Sequence, residues 1–438
     1  MQERRNETGP VLRAGLTVAI AAGVTLAAAT PAAATPASAA PDPGEPVIVR
    51  LDPGSDPDAA AHDAAARGAE IRFVYRDVFP GYAAVLPPGG LRGVEGGPGI
   101  VAIDPDEPVR LRIDGHDEKL QAAGQAPWGL DRIDQHALPL SGSYTPPTAD
   151  RAGKGVTAYV IDSGVAADHR DLGGRVRSGF TSIDDGRGTR DCAGHGTHVA
   201  GTIGGDAYGV APAVSLVAVR TLDCEGSGEI SGVIAGIDWV ARDHAAGTPA
   251  VANLSLSGSA SDSVDTAIRG LVDDGVTVTV AAGNEDEDAC GSSPAREPSV
   301  LTVAATGRDD RRASFSNHGK CVDLFAPGVD IVSDWYTSPT ATKELSGTSM
   351  ASPHVAGAAA LMLGADPDLK PAQVADKLLS TATADVVGGR SDTKDRLLYV
   401  APPAGTDGPR ATPAPVIVKA STGCSSAGSA GRSAGPPV

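Results

Sequence analysis

Short apolar runs recur along residues 126–400, with stretches of helical spacing between them. Val156–Ile161, Ser215–Arg220, Ala250–Leu256, Val276–Ala281 and Val300–Ala304 are too short for helices and read as buried parallel strands. Ile230, Val233, Ile234, Ile237, Val240 and Ala241 fall on one helical face, and so do Val264, Ala267, Ile268, Leu271 and Val272. This alternation predicts an α/β fold in which a parallel sheet carries helices on both faces. In such folds functional groups gather at the carboxyl ends of strands.

The residues upstream follow a different pattern. Pro46–Leu51, Ile71–Arg76, Gly81–Leu86 and Ile100–Ile103 read as short strands, and Asp58–Arg67 as an Ala-rich helix. Residues 45–118 are therefore expected to form a small α+β module, with a boundary in the small, polar stretch from Gly115 to Gln125. Further upstream, Arg4, Arg5 and Arg13 precede the uncharged stretch Ala14–Ala29, and Ala37-Ser38-Ala39-Ala40 follows. That stretch is short of the roughly 20 strongly apolar residues of a membrane span. Residues 1–40 read instead as a cleaved signal peptide. Residues 401–438 are rich in Pro, Gly, Ser and Ala and read as a disordered tail holding Cys424 alone.

Composition narrows the partners. Among 438 residues, 36 Lys and Arg against 54 Asp and Glu leave a net charge of −18. A chain this acidic is repelled by nucleic acid and by anionic membranes, so neither is expected as its main partner. With aromatics at only 3 %, the core must be packed with Ala, Val, Leu and Ile.

Three segments carry candidate chemistry. Asp162 ends the first strand in Val160-Ile161-Asp162-Ser163-Gly164, and alone would pass for a turn or cap residue. His195 lies in Gly194-His195-Gly196-Thr197-His198-Val199-Ala200-Gly201. His195 and His198 are three apart, whereas the metalloprotease helix needs histidines four apart with a Glu between them. His198 therefore reads as a packed helix residue. Ser349 lies in Gly347-Thr348-Ser349-Met350-Ala351-Ser352-Pro353-His354. Pro353 suits the first turn of a helix, and Val355, Ala359 and Leu363 continue a helical face. Ser349 is thus expected at a helix N-terminus, where the dipole favours developing negative charge, although a plain N-cap serine looks the same. Asn284, in Ala281-Ala282-Gly283-Asn284, follows another strand and offers a side-chain amide.

Taken together, these segments resemble the subtilisin-like serine proteases, with Asp162, His195 and Ser349 in that family's chain order. Ala126-Pro127-Trp128-Gly129-Leu130 and Arg312-Ala313-Ser314-Phe315-Ser316-Asn317 are similar to the proteinase K and aqualysin branch. The resemblance covers about 126–400. It implies a Ser349 nucleophile, a His195 general base oriented by Asp162, and an oxyanion held by Asn284 and the Ser349 N–H. An esterase of the α/β-hydrolase kind would need G-x-S-x-G, which Ser349 lacks. An inactive binding protein of the same fold would not be expected to fill all four positions.

The resemblance carries further expectations. Peptide substrates would pair with Gly226-Ser227-Gly228 and Leu254-Ser255-Leu256-Ser257-Gly258, and Ala281-Ala282-Gly283 would line a pocket for a large hydrophobic side chain. Ser257 departs from the family's Leu-Gly-Gly, and Glu285 opens an acidic run through Asp288, so subsite preference stays open. The implied disulfides are Cys192–Cys224 and Cys290–Cys321, which agree with export. Structural calcium would bind Pro298, Val300 and Asp323, with Asp131, Asp134 and Gln135 as a second set. Residues 45–118 resemble the family's inhibitory propeptide, a further partner for the catalytic block at 121–400. Motif position puts the processing cut near Leu120–Gln121. The expected product is a secreted monomer.

Overall fold

The computed structural model of the chain describes residues 44–94, 96–111, 114–116, 126–146 and 152–401. The signal peptide, Leu120–Gln121, Cys424 and the tail after Ala401 lie outside the described residues.

The N-terminal module is a four-stranded antiparallel sheet. Its strands β1 (Glu45–Leu51), β2 (Glu70–Tyr75), β3 (Gly81–Leu86) and β4 (Ile100–Pro105) lie in the order β2-β3-β1-β4. Helix α1 (Pro57–Ala66) starts where Asp56 accepts hydrogen bonds from Asp58 N–H and Ala59 N–H, with Pro57 in the first turn. A single turn, α2 (Leu91–Val94), precedes β4. Alternation in β1 divides the burial. Val47, Val49 and Leu51 pack with Ala61 and Ala64, while Ile48 faces the next domain with Tyr75 and Ala83. Beyond β4 the chain adds two short strands, β5 (Pro108–Arg110) and β6 (Asp114–His116), which pair outside the module.

Helix α3 (Trp128–Ile133) opens the larger domain. Its sheet contains β7 (Thr157–Asp162), β8 (Val176–Thr181), β9 (Ser215–Arg220), β11 (Ala250–Leu254), β13 (Thr277–Ala281), β15 (Leu301–Thr306) and β16 (Leu324–Pro327). A terminal antiparallel pair, β19 (Thr383–Ala384) and β20 (Arg396–Leu397), completes the order β19-β20-β16-β15-β13-β11-β7-β9-β8. The other neighbouring pairs are parallel. Ala158, Val160, Leu216 and Ala218 pack beneath α4 (His195–Gly204), α7 (Thr348–Ala365) and α8 (Pro371–Thr381). The alternate residues Tyr159, Ile161, Val217 and Val219 pack against α5 (Ile230–Asp243) and α6 (Asp262–Asp273), and Tyr75, Val78 and Phe79 of the module join them. The expected α/β architecture, with helices on both faces, is the one observed.

Outside this sheet, β10 (Ser227–Glu229) pairs with β5, β12 (Gly258–Ser259) with β14 (Ser292–Ser293), and β17 (Ile331–Trp335) with β18 (Ala341–Ser346). Cys192–Cys224 and Cys290–Cys321 are bonded. Arg132 is fully buried and grips Asp310 through two hydrogen bonds of 2.6 and 3.0 Å.

One buried acid is less well served. Asp334 of β17 is fully buried, and neither of its oxygens accepts from a donor among the described residues; its side-chain hydrogen bond is shared with the carboxyl of Asp171. His169 Nδ1 stands 3.3 Å away. Burial, then the neighbouring Asp171, pushes the Asp334 carboxyl up to about 8, with Arg175 opposing and Asp206 adding to the rise. The folded state therefore holds a proton that the unfolded chain releases near pH 4. This contribution to stability is complete below about pH 4 and is lost as pH rises to about 8. We predict that Asp334→Asn raises the melting temperature at pH 9 by on the order of 5 °C, and that the gain vanishes toward pH 4. Calorimetry across that range checks the sign.

Candidate active site

Asp162 is the last residue of β7, and His195 the first of α4. The imidazole Nδ1 lies 2.8 and 2.9 Å from the two Asp162 oxygens. A carboxylate only accepts, so Nδ1 carries the proton and Nε2 is left with a free lone pair. That Nε2 is buried and has no hydrogen-bond partner among the described residues. Gly194 precedes His195 at φ +97°, and a Cβ there would stand 2.4 Å from the Trp335 ring. Both the backbone conformation and the close packing therefore require glycine.

Ser349 is the second residue of α7, as the helix-start reading anticipates. Pro353, however, falls in the second turn rather than the first. Its missing N–H would have bonded the Ser349 carbonyl, and the Ser255 hydroxyl donates to that oxygen instead, at 2.8 Å. The Ser349 hydroxyl in turn donates to Ser255 O at 3.1 Å. Asn253 extends this network, donating to Ser255 Oγ and accepting from Thr279 and Ser352 hydroxyls.

Asn284 Oδ1 accepts from both the N–H and the hydroxyl of Thr348, each at 2.9 Å. Because an N–H can only donate, the amide orientation is fixed, and Nδ2 turns away from Thr348. A Cβ built on Gly347 would lie 3.6 Å from both Asn284 Nδ2 and Ser349 N. Two donors thus flank one small space beside the serine, kept open by the missing side chain. Burial is the first cause of the low basicity of the nearby histidines: His198 is held down to about 3 and His354 to about 4. His198 Nε2 lies 2.9 and 3.1 Å from the carbonyls of Ile331 and Lys343, as a packed helix residue should.

The expected substrate segments divide. Ser255, Leu256, Ser257 and Ala281 line one pocket with Asn284, Glu285, Thr348 and Ser349. Gly226, Ser227 and Gly228 form the edge that pairs with residues 108–111. Gly283 serves as a brace, its N–H donating to Thr348 Oγ1 at 3.1 Å. Gly258 lies in the β12–β14 pair. Leu254 and Ala282 have fully buried side chains packed in hydrophobic clusters, so only their backbone is left to meet a peptide.

The two calcium sets also differ. Asp134 is partly buried, and burial, then the charge of Asp131, pushes its carboxyl up to about 7. Asp131 itself accepts from Ser141 and Gly142, and Gln135 folds onto the same loop. Two acids crowd this loop, with the Arg308 guanidinium acting on Asp131, and their oxygen-rich set suits a hard cation, so Asp131, Asp134 and Gln135 fit. Pro298, Val300 and Asp323 fit poorly, because the Lys394 ammonium already stands 3.3 Å from Asp323 Oδ1.

The sequence reading missed Asp191. Its Oδ1 accepts from Ser163 Oγ, Ala193 N–H and Gly194 N–H, and its Oδ2 from Thr197 N–H and Oγ1, at 2.6 to 3.0 Å. It is buried, and desolvation raises its carboxyl. An Asp shortly before a predicted helix was the available signal.

Comparison with known proteins shows the family and the fold. The model of the subtilase family matches residues 153–401. An extracellular serine proteinase of Thermus sp. (strain Rt41A) is 49% identical over 335 residues, 76% of this chain and 78% of that protein. Alkaline serine exoprotease A of Vibrio alginolyticus is 46% identical over 350 residues, 79% of this chain and 64% of that protein. The crystal structure of a cold adapted subtilisin-like serine proteinase superposes with a TM-score of 0.61 at 51% identity, covering 63% of this chain and 99% of that one.

Asp191→Ala would strand five N–H or O–H donors around the His195 turn. We expect it to lower stability by about 2 kcal/mol and turnover by on the order of tenfold with KM little changed. Denaturant unfolding and steady-state kinetics measure the two effects separately.

Proposed function

The chain belongs to the subtilase family and is a serine endopeptidase, and we propose that it is exported and cleaves peptide bonds through Ser349, His195 and Asp162. What carries this reading is the Asp162–His195 pair, with its free Nε2, in the same domain as a serine whose oxyanion space is flanked by two donors.

The Ser349 hydroxyl turns from Ser255 O, passes its proton to His195 Nε2 and attacks the substrate carbonyl. Asp162 holds the imidazole tautomer and stabilises the imidazolium without taking the proton. Asn284 Nδ2 and Ser349 N–H receive the oxyanion. His195 returns the proton to the leaving amine, and water then splits the acyl-enzyme. The substrate binds as an extended strand on the Gly226–Gly228 edge, a role supported by residues 108–111 of the chain lying there as a strand. The small side chain of Ala281 leaves room for an apolar residue before the scissile bond, while Ser257 and Glu285 tune that preference. Calcium, held by Asp131, Asp134 and Gln135, would neutralise two acids and brace their loop, supplying stability rather than chemistry. Residues 45–118 act as an inhibitory propeptide, and the product works outside the cell as a monomer. Among the described residues no helix is long and apolar enough to cross a membrane.

A serine-directed fluorophosphonate should label the mature enzyme and fail to label Ser349→Ala. Asn284→Ala should still fold, with a melting temperature a few degrees lower because Thr348 loses its acceptor, and lose on the order of a hundredfold in turnover. Undiminished labelling of Ser349→Ala would remove the nucleophile assignment, and undiminished turnover in Asn284→Ala the oxyanion one.

A further inference from the structure

Strand β5 lies on the β10 edge, where a peptide substrate is to be seated, so its side chains show what that edge can read. Arg110 is opposite Ser227, Val109 opposite Gly228 and Pro108 opposite Glu229. Leu111 N–H then donates to Gly226 O at 2.8 Å. Arg110 and Leu111 line one pocket with Asn284 and Ser349, so the ladder ends beside the nucleophile. Directly opposed residues of an antiparallel pair share a face, and the next pair takes the other. Val109 faces inward: it is buried, and a Cβ on Gly258 would stand 3.7 Å from its side chain. Pro108, Arg110 and Glu229 are exposed on the opposite face.

Glu229 stands diagonally across the ladder from Arg110, a separation that long side chains bridge. It occupies the N-cap position of α5, yet its side chain makes no capping hydrogen bond. Asp106 serves that helix instead, accepting from Ser231 N–H at 2.8 Å. Burial, then the charge of Asp106, raises the Glu229 carboxyl, and the Arg72 and Arg110 guanidiniums oppose the rise. The charge of Arg110 therefore reaches this carboxylate. Arg72, Asp106 and Arg110 all precede the catalytic block, so a substrate strand that replaces β5 brings its own side chain to Glu229. Glu285, an acid of the same pocket, is turned onto its own loop, where it accepts from Asn284 N–H and Asn317 Nδ2 at 2.8 and 3.3 Å.

We propose that Glu229 is a specificity-determining residue, selecting peptides with Arg or Lys at the position that Arg110 occupies, one residue before the N–H that bonds Gly226 O. This rests on the reading of β10 as the substrate edge. The net charge of −18 favours cationic peptides as well, but from a distance and without regard to position. Glu229 adds the position.

The test uses the mature enzyme and internally quenched peptides containing Pro-Val-Xaa-Leu, with Xaa as Arg, Lys, Gln or Glu and a constant segment after the Leu. Product masses establish the common cut. At low salt, kcat/KM for the Arg and Lys peptides should exceed that for the Glu peptide by about fivefold. The ratio should fall toward one in about 1 M salt. Glu229→Gln should bring the ratio to about one at any salt, and Glu229→Lys should invert it. Glu225→Gln, on the exposed loop before the edge, should leave it unchanged. An N-methyl group on the peptide Leu removes the donor to Gly226 O and should slow every peptide by about tenfold. Where N-methylation slows cleavage, three results overturn the role of Glu229: a ratio near one in the parent enzyme, a ratio that survives Glu229→Gln, or one that Glu225→Gln abolishes equally. If N-methylation has no effect, the substrate-edge reading itself fails, and the assignment to Glu229 falls with it.

Discussion

The site depends on how closely two helices can approach each other. α4 delivers His195 and α7 delivers Ser349, and both lie on one face of the sheet. Interaxial distance follows side-chain size, so the contact is made with glycine and alanine. A Cβ on Gly357 would stand 2.5 Å from Val210 and 3.1 Å from the Ile203 carbonyl. Ala356, Ala358, Ala359 and Ala360 fill the rest of that stretch of α7 almost completely buried. The low aromatic content of the chain has its geometric meaning here: bulky rings between these helices would part Ser349 from His195. A core of small side chains needs other reinforcement, and two disulfides and the buried Arg132–Asp310 pair supply some of it.

Much of this was legible in the sequence because it is local. Strands buried on both faces announce themselves as apolar runs, and β9 is observed over the expected residues. The errors have physical reasons. The reading carried one strand to Leu256, but the ladder stops at Leu254, where Ser255 and Leu256 leave the sheet to line the cleft. β8 went unread because its residues are mostly half-exposed at the sheet edge, and β16 because four residues ending in proline carry little pattern. Asp162, His195, Ser349 and Asn284 were legible because each follows a strand or begins a helix within a recognisable motif. Asn253, Thr348 and Asp310 were not. Their bonds to Thr279, Asn284 and Arg132 reach 26, 64 and 178 residues along the chain, and no local spacing encodes such a pairing.

The N-terminal module attaches by similar means. Asp238 Oδ1, on α5, accepts from the N–H groups of Arg76, Asp77 and Val78, and Asp106 Oδ1 accepts from Ser231 N–H in the first turn of the same helix. One contact caps a module loop with a helix carboxylate, and the other caps a helix with a module carboxylate. Burial, then the charge of Asp238, raises the Asp77 carboxyl, so acidic groups crowd this interface even as the backbone bonds hold it.

Backbone ladders and caps read shape and register, and they are largely indifferent to side-chain identity. The β5–β10 and β6–β18 ladders follow this rule: each holds the chain by backbone pairing in a fixed antiparallel register. Side-chain identity enters most directly where the first ladder ends, in the pocket that Leu111 lines with Ala281, Asn284 and Ser349. A change of side chain on a ladder strand leaves its backbone bonds in place, whereas a change in that pocket alters the space itself.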